Sequence, residues 1–237
     1  MEVPLVSLQS LPQGYRAIVF GATGGIGRGF VQCLESDPNC HEVVRLSRSS
    51  KPGIDLMDEH AIAQAADTLE GEFHLLIDAT GFLSDELIAP EKSMRALSAD
   101  NLAKVYELNA IGPVLLLKHF ASKMPRKERA FFATLSARVG SIGDNRLGGW
   151  YAYRASKAAL NMLMKCAAIE LSRNRPESVV LSLHPGTVVT SLSDPFAGNK
   201  ERLAPVQSAQ MMLNVLDRVM PNDSGSFWDY RGNRVEW

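Results

Sequence analysis

The sequence predicts an α/β fold: a doubly wound parallel sheet with helices on both faces. Three observations carry this expectation. Short apolar runs of strand length end in glycine or polar residues near residues 20, 46 and 78. Helix-compatible stretches lie between those runs. A cluster of glycines stands where the first run meets the first helix. Such alternation builds a parallel sheet whose ligand crevice lies at the carboxyl ends of the strands. A length of 237 residues suits one domain, 1–237. An apolar content of 46% is enough for a full core.

Composition narrows the function classes. A net charge of −1 argues against nucleic acid or an anionic membrane as the main partner. Three cysteines, with no Cys-x-x-Cys spacing, point to a reducing compartment and to neither a disulfide framework nor a metal site. The five histidines are scattered. No apolar run reaches about 18 residues, and no basic region precedes an apolar core at the start of the chain. A cytoplasmic protein is the expectation.

Residues 1–14, with Pro4, Pro12 and Gly14, read as a loose lead-in. Arg16–Phe20 is a first strand, followed by Gly21-Ala-Thr-Gly-Gly-Ile-Gly27 and a helix from Arg28 to Glu35. Glycines between a strand and a helix suit phosphate, because backbone N–H groups and the helix N-terminus then face an anion. Gly21 permits the tight turn, Gly25 the approach of a pyrophosphate, and Gly27 the packing of helix on strand. A turn that binds nothing is the alternative. The second strand, Glu42–Leu46, is followed by Ser47 and Arg48, with Arg45 nearby and no acid. An acid there would favour the ribose hydroxyls of NAD. A serine and a guanidinium suit a 2′-phosphate, so NADP(H) is favoured over NAD(H).

Asp55-Leu56 precedes a helix over 58–69, and Phe73–Ile77 reads as a buried strand ending in Asp78-Ala-Thr-Gly81. Residues 82–97 form a loop or short helix. A long helix then starts at Ser98, a plausible N-cap. Asn109 lies inside this helix, four residues before Pro113. Proline brings no N–H, so the carbonyl of Asn109 loses its usual partner and can take a water. Arg129–Leu135 reads as a fifth strand, followed by Ser136, Ala137, Gly140 and Ser141. A helix over 150–173 carries Tyr153 and Lys157, one turn apart on one face. A cation beside a phenol favours the phenolate and lowers its pKa, which suits proton transfer near neutral pH. Such pairs are also common on helices by chance. A strand at Ser178–Leu183 leads to His184-Pro-Gly-Thr-Val-Val-Thr190, a substrate loop expected to be mobile over 191–203, a helix from Pro205 to Val219, and a tail with a Gly-Asn turn between two short runs.

Taken together, these motifs resemble the short-chain dehydrogenases/reductases from about Arg16 to the tail. Gly149–Asn161 and Phe227-Trp-Asp-Tyr230 are similar to C-factor-like and small carbonyl-reductase-like members. The resemblance implies a single-domain Rossmann-type fold and an oxidoreductase acting on a carbonyl or alcohol. It implies a homodimer or homotetramer formed through its two long helices. It also implies cofactor contacts from Gly21, Thr23, Gly25, Ile26, Gly27, Ser47, Arg48, Asp55, Leu56, Ala79, Thr80, Gly81, Tyr153, Lys157, Pro185, Gly186, Val188 and Thr190. Tyr153 takes the role of general acid, Lys157 holds the nicotinamide ribose and depresses the tyrosine pKa, and Asn109 holds a relay water. Two departures stand out. Asp78-Ala-Thr-Gly81 replaces the family's Asn-Asn-Ala-Gly. Ala137 occupies the position of the family's catalytic serine, so Ser136 is the choice for that role, with Ser141 or no serine as alternatives. The second function class that this leaves open is a dinucleotide-binding regulatory or signalling protein with little turnover.

Overall fold

The computed structural model describes residues 7–196, 198 and 201–237; residues 1–6 of the expected lead-in, and 197, 199 and 200 of the expected substrate loop, lie outside the described residues. Strands β1 (Tyr15–Phe20), β2 (Cys40–Leu46), β3 (Leu75–Asp78), β4 (Ala130–Leu135), β5 (Ser178–His184) and β6 (Ser226–Asp229) form one sheet in the order β2-β1-β3-β4-β5-β6. Every strand pairing in it is parallel. The strand expected as the fifth is the fourth, because no described residue between Asp78 and Ala130 enters the sheet. The order reverses between β1 and β3, which sets the crevice at their carboxyl ends.

Alternation along each strand sends side chains to two separate cores. Val19, Ile77 and Leu181 face α1 (Gly25–Glu35) and α6 (Pro205–Leu216) through Phe30, Leu34, Met212 and Leu216. Ile18, Phe20, Phe132 and Val180 face α2 (Glu59–Thr68), α4 (Gly112–Phe120) and α5 (Tyr151–Ser172) through Ile62, Phe120, Leu160 and Met164. Phe20 meets Phe120 edge-on at 4.8 Å. Burying one such ring contributes about 1.5–3 kcal/mol, with about 0.5–1.5 kcal/mol more from the aromatic pair.

Residues 7–14 are not loose. Leu8 and Leu11 are buried in the first core. The Leu8 N–H and the Tyr15 hydroxyl both donate to Asp37, at 3.0 and 2.8 Å. Pro12 and Gly14 shape a path along the surface, while Leu8 and Leu11 supply the anchorage.

Helix boundaries follow capping chemistry. The Asp58 carboxylate accepts from His60 and Ala61, starting α2. The Ser98 hydroxyl accepts from Asn101, starting α3 (Ala99–Tyr106). Helix α1 begins at Gly25 rather than at Arg28, so its first turn includes the glycines. The expected long helix from Ser98 is two helices. A π turn, Glu107–Ile111, separates α3 from α4, and the Gly112 N–H donates to the Glu107 carbonyl. Pro113 at the start of α4 is the cause: its missing N–H makes a regular turn incomplete, and the wider turn absorbs the defect. The tail forms no full hairpin. Its first run is the parallel edge strand β6, and its second touches back through one antiparallel bridge, Trp228 to Arg234.

Candidate active site

The glycine turn closes around Gly21, whose φ of +72° lies in the region glycine favours. A Cβ on Gly27 would stand 2.1 Å from the Gly21 carbonyl oxygen, so α1 leaves the turn with no room for a side chain there. A Cβ on Gly25 would meet Thr190 Cγ2 at 2.7 Å, which brings the 185–190 segment against the turn. A cleft of about 500 Å³ opens beside the turn. Gly21, Thr23, Ser47, Arg48, Asp55, Leu56, Ala79, Thr80 and Gly81 all line it. Ile26 instead packs toward the first core. Arg48 is exposed at the rim, while Ser47 is buried and its hydroxyl faces that of Ser49 at 3.2 Å. Arg45 pairs with Glu35 and lines, with Thr23 and Ser47, an adjoining cavity rather than this cleft. These residues fit a phosphorylated dinucleotide: the turn has backbone donors and no side-chain bulk, and the end of β2 offers a guanidinium without an acid.

The 185–190 segment is tied down at several points. The Ser208 hydroxyl donates to the Pro185 carbonyl at 2.7 Å, and Gly186 takes φ +80° beneath the Tyr230 ring. Val188 is buried and bridges to Leu203. The Thr190 and Ser193 hydroxyls lie 3.2 Å apart.

Lys157 lies on the face of α5 that meets the carboxyl end of the sheet, and Tyr153 precedes it by one helical turn. The Lys157 ammonium donates to the Leu135 carbonyl at 2.8 Å, at the end of β4. A Cβ on Gly81 would stand 3.9 Å from both Lys157 Nζ and Asn109 Oδ1, so the ends of β3 and β4, the π turn and α5 converge. Gly140, at which a Cβ would lie 2.7 Å from the Lys157 Cβ, lets the loop after β4 press onto the helix. Tyr151, two residues before Tyr153, is more exposed and has Ala155, not a lysine, four residues on.

The electrostatics correct one expectation. Burial raises the Tyr153 pKa to about 12, and no neighbouring cation offsets it. Burial also lowers Lys157 to about 8, against an upward pull from the Asp78 carboxylate. The lysine therefore does not depress the tyrosine in this structure; its ammonium is itself destabilised by desolvation. Asp78 is fully buried and raised by burial, although hydrogen bonds from Thr134 and Thr80 and the charge of Lys157 act the other way. The Thr134 hydroxyl reaches Asp78 Oδ2 at 2.6 Å. The departure at Asp78 thus places a second ionisable group beside the lysine.

Asn109 is wholly buried in the π turn. Its side chain accepts from the Phe82 N–H at 2.8 Å and donates to the Phe82 carbonyl at 2.7 Å. It also reaches the Ser156 hydroxyl at 3.3 Å, which donates to the Tyr153 carbonyl at 2.9 Å. The side chain therefore clamps the segment after β3 to α5, a role that the sequence pattern did not reveal.

Ser136 follows β4, and its N–H extends the pairing to β5 by donating to Leu183 at 2.8 Å. Its hydroxyl is buried without a hydrogen-bond partner. The Ser141 hydroxyl is engaged, accepting from the Asp144 N–H at 3.1 Å. His184, at the end of β5, is pushed down to about 4 by burial, with the Arg138 charge adding to it, and so is neutral. Sequence reasoning also missed Glu91. It is buried, and its carboxylate accepts from the Ala152 N–H at 3.1 Å, capping the first turn of α5. A cap supplied from 61 residues upstream has no local signal. Among the described residues no cluster could hold a metal ion, and no helix is long and apolar enough to cross a membrane.

The short chain dehydrogenase family model matches residues 16–201. The chain belongs to that family. It is 32% identical over 187 residues to 1-hydroxy-2-glutathionyl-2-methyl-3-butene dehydrogenase of Rhodococcus sp. (strain AD45), covering 79% of this chain and 80% of that one. It is 37% identical over 138 residues to the C-signal protein of Myxococcus xanthus, covering 58% of this chain and 79% of that one. Among solved structures, NADPH-bound carbonyl reductase from chicken fatty liver superposes with a TM-score of 0.79 at 26% identity, covering 96% of this chain and all (100%) of that one. The expected doubly wound, Rossmann-type fold is therefore the observed one, and this short-chain dehydrogenase is an oxidoreductase by family.

Proposed function

We propose that this short-chain dehydrogenase is an NADP(H)-dependent reductase of a small carbonyl compound, its single domain spanning the chain. One observation carries the reading: Lys157 and Asn109 converge with Gly81 beside a glycine-turn cleft at the carboxyl end of the sheet, and Tyr153 stands one helical turn before Lys157 on α5. The cofactor, when bound, supplies the hydride. Gly21, Gly25 and Gly27 would hold its pyrophosphate, Ser47 and Arg48 its 2′-phosphate, and Asp55 its adenine. The segment Pro185–Thr190 would fix the ring. The chicken carbonyl reductase, solved with NADPH, supports the choice of cofactor.

In this reading the Tyr153 hydroxyl donates to the substrate oxygen and transfers its proton as negative charge develops there. A phenol at about 12 holds its proton firmly at neutral pH, which suits an acid in the reducing direction. Lys157 would donate to the cofactor ribose. Ser136 is the better candidate for a second donor to the oxygen, because its buried hydroxyl has no other partner, whereas Ser141 is engaged. Such a donor is worth about 10²–10³ in rate. Purified protein with NADPH and a panel of ketones and aldehydes is the test. Turnover that is lost in Tyr153→Phe is expected. An equal rate in wild type and Tyr153→Phe would sink the proposal.

A second reading, a dinucleotide-binding signalling protein, draws on Ala137 and on the likeness to the C-signal protein. It requires NADPH binding by calorimetry without turnover of any carbonyl. Association through α4 and α5 is proposed as well. Met162 and Ile169 are exposed apolar residues on α5, and Ile111 lies exposed just before α4. A monomer by light scattering at micromolar concentration would refute that. The free cysteines Cys33, Cys40 and Cys166 suit a cytoplasmic setting, which fractionation of cells would check.

A further inference from the structure

The entry to α5 carries backbone strain that the proposed reaction does not use. Gly148, Gly149 and Trp150 take φ values of +62°, +65° and +51° in succession. The first two are glycines, for which this region is open. The third has the largest of all side chains, in a conformation that bulky residues rarely adopt. Strain of this kind persists where surrounding contacts impose it, and it collects at functional sites.

The surrounding contacts are specific. The Trp150 N–H donates to the Glu91 carbonyl at 2.5 Å, and the Glu91 carboxylate takes the Ala152 N–H. From the other side the Arg154 guanidinium donates to the carbonyls of Gly148 and Gly149, at 3.2 and 3.1 Å. The left-handed run is thereby braced at both ends. The result is a placed indole. Its ring lies edge-to-face with Tyr153 at 6.2 Å and with Phe196 at 5.3 Å, both at 71°. Phe196 belongs to the segment that follows Thr190, and Leu192 of the same segment comes within 4.0 Å of a Cβ placed on Gly81. That segment therefore reaches from the cofactor cleft to the indole.

We propose that Trp150 and Phe196 form the specificity wall of this enzyme, and that its preferred substrates carry an aromatic or flat conjugated group next to the carbonyl. This rests on the carbonyl-reductase reading. A substrate whose oxygen meets the Tyr153 hydroxyl brings its substituent beside the Trp150 ring. An alkyl chain there gains burial alone, whereas a flat ring gains burial together with an edge-to-face pair, a difference of about two- to tenfold in rate.

The test compares kcat/KM for benzaldehyde and hexanal, with NADPH, in wild type, Trp150→Asn and Phe196→Leu. Asparagine tolerates the left-handed backbone, so the entry to α5 keeps its path. Wild type is expected to favour benzaldehyde, and each variant to lower the benzaldehyde-to-hexanal ratio by about two- to tenfold. A purely structural role would lower both rates together and leave the ratio alone, which would overturn the proposal. So would a wild type that favours hexanal. Calorimetry with benzamide, an unreactive aryl probe, separates this from the parent reading. If no carbonyl turns over, the reductase reading falls. The wall then stands if benzamide binds wild type more tightly than Trp150→Asn, and falls if the two bind alike.

Discussion

Replacing Asn109 by alanine tests whether this residue clamps the site together. The side chain holds both backbone groups of Phe82, at 2.8 and 2.7 Å, and the Ser156 hydroxyl at 3.3 Å. Alanine removes all three contacts. Ser156 keeps its bond to the Tyr153 carbonyl, but the Phe82 N–H and C=O lose these side-chain partners. An unsatisfied buried polar group costs about 1–3 kcal/mol. Phe82 is only half-buried, so the lower part of that range applies to each group. The expected loss is about 2–4 kcal/mol, equivalent to about 4–16 °C in Tm for a chain of this size. Denaturant unfolding followed by far-ultraviolet circular dichroism measures it. Asn109→Asp keeps the acceptor for the Phe82 N–H but has no donor for the carbonyl, and it is expected to lose at least half as much. A midpoint unchanged in Asn109→Ala would refute the clamp and return Asn109 to a role in water binding alone.

Four further outcomes follow. Because burial lowers Lys157 to about 8, its ammonium is lost as pH rises through that value, so kcat/KM for reduction is expected to fall above about pH 8. Asp78→Asn removes the charge that raises Lys157 and shifts the fall to lower pH; a pH–rate profile that does not move would contradict their coupling. Gly27→Ala puts a Cβ against the Gly21 carbonyl, and overpacking of that kind costs about 1–3 kcal/mol, with NADPH affinity by calorimetry expected to drop at the same time. Arg48→Asp is expected to raise the KM for NADPH far more than that for NADH, and equal effects in steady-state kinetics would remove Arg48 from the 2′-phosphate site.

The linear chain carried the sheet, its parallel sense and the place of the crevice. Those depend on patterns that neighbouring residues display together: apolar runs, the glycines at Gly21–Gly27, and caps such as Asp58 and Ser98 beside the helices they start. The pairing of Tyr153 with Lys157 was equally legible, since four residues make one helical turn. What each residue meets across the fold was decided elsewhere. Leu8 and Leu11 entered the core because Asp37 holds their segment. Glu91 reached the first turn of α5 from 61 residues away. Asn109 turned to the Phe82 backbone, and Arg45 paired with Glu35. The charge balance at the site also reversed its expected sign. A lysine four residues from a tyrosine promises a lowered phenol pKa only while its ammonium is well solvated. Here burial raises the phenol and weakens the ammonium, and the carboxylate of Asp78 comes from strand β3. Sequence separation says nothing about burial depth or about neighbours contributed by other strands, so desolvation and long-range contacts, on which both the chemistry and the strained placement of Trp150 depend, exist only in the tertiary structure.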